Sequence, residues 1–141
     1  MENINWKKEF SVGVQELDQQ HKKLLSMINR LIDDQKKLTD PKLINELLME
    51  MIDYAEVHFQ AEEHLMTEYN YHYTDRQAQQ HQQFIEKTRS FLSATDVGPN
   101  ILSNALLDYL GNWLINHILT EDMKYKDFFQ SKGIDQSYSP V

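Results

Sequence analysis

Histidine, glutamate and glutamine interrupt the apolar stripes of this chain, and that feature constrains its fold more than any other. His58 and Glu62 are four residues apart, and so are Gln77 and His81. On a helix, i and i+4 share one face with Cβ atoms about 5–6 Å apart, so each pair can reach one centre. The pairs sit in longer periodic runs. One steps by three and four through Leu17, His21, Leu24, Leu25, Ile28, Leu31 and Ile32. A second passes Ile44, Leu47, Leu48, Met51, Tyr54, Ala55, His58, Glu62, Leu65, Met66 and Tyr69. A third carries Gln77, His81, Phe84, Ile85, Phe91 and Leu92. The fourth holds Leu106, Leu107, Leu110, Trp113, Leu114, His117 and Ile118, and continues to Tyr125 or Phe129. This period is that of amphipathic helices.

Punctuation places the boundaries. Residues 1 to about 17, around Gly13, lack helical period and read as an N-terminal arm. Asp18 is the expected N-cap of a first helix ending near Leu38. Asp40-Pro41 supplies a cap and a first-turn proline for the second. Thr74-Asp75-Arg76-Gln77 has capping-box spacing and opens the third. Val97-Gly98-Pro99-Asn100 separates the third from the fourth, and Gly133 and Pro140 mark a loose tail from about 131 to 141. The expectation is one all-α domain over residues 1–141, an antiparallel up-down-up-down four-helix bundle at about 18–130 behind the arm.

Composition narrows the function. Charged residues are 26% and apolar ones 40%, the balance of a soluble globular chain. A net charge of −8 argues against nucleic acid and anionic membrane as partners. Without Cys there are no disulfides, iron–sulfur clusters or thiolate zinc sites. Met1–Lys8 has no signal-peptide core and no run is long enough to span a bilayer, so a cytoplasmic location is expected. Nothing in the sequence sets an oligomeric state.

A lone buried histidine is ordinarily a hydrogen-bonded core residue. Four histidines and a glutamate from four helices are different: buried together without a metal, they would leave several costly polar groups. His21, His58, Glu62, His81 and His117 therefore read as a metal site. Met27, Met49, Met51, Met66, Tyr54, Phe59, Phe84, Trp113 and Tyr125 read as core packing, some of it walling that site.

Several spaced motifs resemble the hemerythrins, specifically the single-domain bacterial ones. They are Val12-Gly13-Val14, Leu17-Asp18 with His21, His58-Phe59 with Glu62-Glu63 and Leu65-Met66, His81-Gln82-Gln83-Phe84, Trp113-Leu114 with His117-Ile118, and Asp122-Met123-Lys124-Tyr125. The resemblance implies two iron ions inside the bundle that bind dioxygen reversibly. It implies His21 and His58 on one iron, His81 and His117 on the other, and Glu62 and Asp122 as carboxylate bridges beside an oxo or hydroxo group. Spacing alone favours Glu121 over Asp122, which lies five residues after His117, roughly 140° round an ideal helix.

The family has a histidine four residues before the one matching His81, and here that position is Gln77. Gln77 is a weak ligand, gives way to water or to a borrowed group, or merely completes the capping box with Thr74. His72 is the nearest group to borrow, but a solvent-exposed turn residue is its simpler role. His64 lies about 200° round the helix from Glu62 and should face outward. Glu63 should also point away, so that its loss leaves the centre intact.

Three functions compete: a dioxygen carrier, store or sensor that is not an enzyme; a di-iron oxidase or peroxidase arising from the altered coordination at Gln77, open to small anions or peroxide; and a non-redox metal-binding structural module. No nucleophile–base pair suggests hydrolysis.

Overall fold

The computed structural model describes residues 2–36, 40–94 and 104–134. A 3-10 turn at Lys8–Phe10 precedes α1 (Gln15–Lys36), α2 (Pro41–Glu68), α3 (Thr74–Ala94) and α4 (Asn104–His117). α4 runs directly into a π-helical turn at Ile118–Asp122 and then into α5 (Met123–Ser131), so the last three form one rod. α1 packs on α2 and α4, and α3 packs on α2 and α4, closing a ring of four rods. The expected all-α four-helix bundle is what the chain forms. Among the described residues, no helix is long and apolar enough to cross a membrane.

The stripes become the core. Leu17, Ile28, Leu31, Ile32, Leu48, Met51, Leu65, Met66, Leu106 and Leu107 are all nearly inaccessible. Met49 is not core: it faces solvent, one position off the buried stripe. Asp40 caps α2 as expected, its side chain accepting from Lys42 N–H, with Pro41 behind it. α2 ends on Asn70, whose φ of 56° is the left-handed conformation that closes helices, and Tyr71 N–H returns to Met66 O. The turn to α3 is short, so α2 and α3 are antiparallel.

Asp18 differs from expectation. The helix begins three residues earlier, at Gln15, and Asp18 lies inside its first turn. Its carboxylate instead accepts from Val12 N–H at 2.8 Å and Ser11 Oγ at 2.5 Å. This pins the arm, whose Gly13 takes φ 79° between the buried Val12 and Val14. Farther up, Asn29 brackets Ile4, accepting from its N–H and donating to its carbonyl. The arm is thus a docked part of the core. At the other end Gly133 closes α5 and Ile134 is buried, so the packed chain extends at least to residue 134. Leu38, Val97-Gly98-Pro99-Asn100 and Pro140, and the side chains of Phe91 and Leu92, lie outside the described residues.

Candidate metal centre

Four of the six histidines are buried and converge in the middle of the bundle. α1 contributes His21, α2 His58 and Glu62, α3 Gln77 and His81, α4 His117, and the π turn Asp122; all are 5% exposed or less. Metal-binding atoms fall into two groups, His21 with His58 and Glu62, and His81 with His117 and Asp122, each within 4.8 Å internally. The carboxylates lie between the groups. Glu62 places Oε1 at 3.0 Å from His58 Nε2 and 3.5 Å from His81 Nε2, and Oε2 at 3.5 Å from His21 Nε2. Asp122 places Oδ2 at 3.2 Å from His21 Nε2 and Oδ1 at 3.2 Å from His117 Nε2.

Asp122 reaches this position because of the π turn. In i→i+5 geometry, residues five apart return to the same face, as they do not on an α-helix. Asp122 therefore shares the inner face with His117. Glu121, which ideal α spacing favours, is turned to the bundle's flank, where it accepts from Arg76 at 2.7 Å and faces Lys124 at 3.4 Å.

Outer contacts set the tautomers. His58 Nδ1 lies 2.5 Å from Gln20 Oε1, an oxygen that only accepts, so Nδ1 carries the hydrogen. Burial keeps His58 below the ordinary imidazole pKa, and so neutral, although Glu62 pulls the other way. Its Nε2 lone pair then faces a Glu62 oxygen at 3.0 Å, acceptor against acceptor. His81 repeats the arrangement, with Nδ1 at 2.8 Å from Glu63 Oε2 and Nε2 turned inward, 3.1 Å from His117 Nε2. His21 Nε2, Glu62 Oε1, Asp122 Oδ2 and Gln77 Oε1 are buried without a hydrogen-bond partner among the described residues. Converging lone pairs and orphaned acceptors call for cations between them.

Electrostatics agree. Burial opposes charge on His21, but the close carboxylates of Asp122 and Glu62 override it and lift its pKa to about 10. Burial would raise Glu62, yet the protonated His21 beside it holds its carboxyl well below the usual range. Asp122 is lowered against burial and the neighbouring Glu62 charge, chiefly by His117. His117 is raised against burial by Asp122. Two carboxylates stay ionised in a dry core, which is costly without positive charge between them.

Phe59 stacks on His81 with centroids 3.9 Å apart, and Trp113 stacks on His117 at 4.5 Å. Tyr125 donates its hydroxyl to Glu62 Oε2 at 2.5 Å. Burial, with Asp122 and Glu62 nearby, raises that phenol well above 10, so it remains a donor.

A bundle with two facing histidine–carboxylate groups matches the hemerythrin HHE cation binding domain over residues 12–129. The chain belongs to the hemerythrin family. A bacteriohemerythrin of Pseudomonas aeruginosa is 32% identical over 127 residues, 90% of this chain and 82% of that protein. A hemerythrin-like protein of Naegleria gruberi is also 32% identical, over 87% of this chain and 91% of its own length. A crystal structure of wild-type hemerythrin superposes with TM-score 0.80 at 26% identity, covering 88% of this chain and 95% of the other. The family implies a di-iron site, and these residue groups fit one.

Of the anticipated residues, His21, His58, Glu62, His81, His117 and Asp122 all meet in the centre. His64 and His72 are exposed and take no part. Two expectations are overturned. Gln77 does not complete a capping box: Thr74 donates its hydroxyl to Tyr71 O, while the Gln77 amide is buried and donates from Nε2 to Asp122 Oδ1 at 3.0 Å. Glu63 does not point away from the site, because it leans across to His81 on the adjacent helix. Gln20 was not anticipated in the centre, and Tyr125 was anticipated only as packing. Tyr125 carried a signal, standing three residues after Asp122 in a hemerythrin motif, whereas nothing marked Gln20.

Proposed function

We propose that the centre holds two iron ions and binds dioxygen reversibly, for storage, delivery or sensing. The supporting observation is the pair of inward lone pairs, on His58 and His81, whose tautomers are set from outside by Gln20 and Glu63. His21 and His58 would hold one ion and His81 and His117 the other, with Glu62 and Asp122 across both. Two ferrous ions would supply the pair of electrons that bound dioxygen takes up.

The chain's own groups do the rest. Phe59, Phe84 and Trp113 pack together and give the His81 and His117 side an apolar wall. Tyr125 keeps its proton, donates it in a hydrogen bond to Glu62 Oε2 and fixes that carboxylate's orientation. No nucleophile–base pair stands apart from the ligand set among the described residues, which favours a carrier over a hydrolase.

The test is a cycle of oxygen and argon over protein loaded anaerobically with ferrous iron, followed by visible absorption. A colour that comes and goes with the gas supports the reading. Irreversible bleaching would make the protein an oxidase, and failure to retain iron would make it a structural module.

A further inference from the structure

Gln77 is a central amide whose hydrogen-bonding capacity is only partly spent. Its amide is wholly buried, one helical turn before His81 and on the same face of α3. One N–H goes to Asp122 Oδ1, the oxygen that also faces His117. Asp122 is the only side chain that Nε2 donates to among the described residues, and Oε1 has no partner there. A buried amide left this way normally meets water or a ligand.

A surface crevice reaches the same side of the centre at His117. A crevice of about 200 Å³ opens between α3 and the last rod, lined by Gln80, Trp113, Asn116, His117, Thr120 and Glu121. Gln77 and Gln80 are three apart on α3 and so are neighbours on its surface. At the rim, Arg76 and Lys124 both bind Glu121, leaving one positive charge in excess. Charge of that sign draws small anions towards the opening.

We propose that Gln77 marks an exchangeable ligand position on the His81, His117 and Asp122 side, which admits a small monoanion through this crevice. The anion binds the metal there and accepts from the free N–H of Gln77. Hydroxide and hydroperoxide can also donate to Oε1, whereas azide uses the N–H alone. The proposal rests on the two-metal reading above. Glu63 complements it by placing a carboxylate on His81 Nδ1 where His58 has only the Gln20 amide, so the ring on the side with the weaker fourth group is held by the stronger partner.

The experiment titrates oxidised, iron-loaded protein with sodium azide by calorimetry and visible absorption, after iron per chain has been measured. The parent should hold two irons and take up two azides. Gln77→His fills the position with an imidazole and should take up one. Gln77→Leu, a gentler change should the histidine variant fold poorly, leaves the position open without the amide; its second azide should bind about tenfold more weakly or worse. Two irons with a single azide in the parent, or unchanged second-azide affinity in Gln77→Leu, would overturn the proposal and leave the metal reading intact. Fewer than two irons in the parent would overturn both.

Discussion

Glu63 shows how a residue next to a functional one acquires a role through a neighbouring helix. It follows Glu62 directly, and on α2 alone it points off the inner face. α3 brings His81 Nδ1 to 2.8 Å from its carboxylate. Carboxylate partners of this kind hold the ring and raise its basicity, and their loss typically weakens metal binding about 10–100-fold. Glu63→Ala should therefore release iron to a competing chelator about tenfold more readily or worse, with Glu63→Gln intermediate because it still accepts. Equal retention in parent and both variants would show that His81 needs no such partner. Glu62→Ala is the contrast: it removes the carboxylate that faces three imidazoles and should abolish retention of both ions, read as iron per chain. Tyr125→Phe keeps the packed ring but strips Glu62 Oε2 of its donor. It should destabilise the chelated protein by about 1–3 kcal/mol in denaturant unfolding, since the carboxylate is buried.

At the scale of elements, the π turn decides which acid enters the centre. A π turn is one extra residue accommodated in a helix. Removing it leaves the register on both sides undisturbed, whereas removing a residue from an ordinary α segment rotates everything after it by about 100°. Deleting the exposed Thr120 should thus give a folded bundle with Tyr125 and Phe129 still buried. Deleting the exposed Asn112 should turn those rings out of the core and collapse cooperative thermal unfolding. If the two deletions unfold alike, the π turn is not an isolated insertion.

Across the whole molecule, the centre couples folding to protons and metal. Glu62 and Asp122 have depressed pKa values, so their contribution is present above the ordinary carboxylate pKa and is lost as pH falls through the folded value. His21 has the opposite sign. Raised to about 10, it stabilises fully below the unfolded value of 6.5, and the effect is lost as pH rises towards 10. Chelated protein should therefore lose thermal stability on both sides, below the carboxylate range and between pH 6.5 and 10. Ferrous iron should raise the unfolding midpoint at neutral pH and flatten the alkaline fall, because the cation replaces the proton on His21. An alkaline limb of unchanged slope in His21→Phe would show that another group titrates there.

The helices, the bundle and most of the centre were legible in the sequence, because a 3.6-residue period states which residues share a face. Polar residues on a face that must be buried announce a site, and motif order adds the family. That reasoning works within one helix at a time, and it fails where an assignment depends on a second element. It made Asp18 a helix cap, although the arm needs its carboxylate to satisfy Val12 N–H. It left Gln77 open between a weak ligand, a place for water or a borrowed group, and a capping-box residue, since only α3 packed beside the last rod sets its amide against Asp122. It preferred Glu121 to Asp122, because α periodicity cannot foresee a π turn with no glycine or proline to signal it. Sequence by itself determined which helical stripes would be buried and that their polar members form a candidate metal site. The tertiary structure alone decided which nitrogen of each imidazole faces inward and which carboxylate lies between the groups, since hydrogen-bond partners from other helices set both.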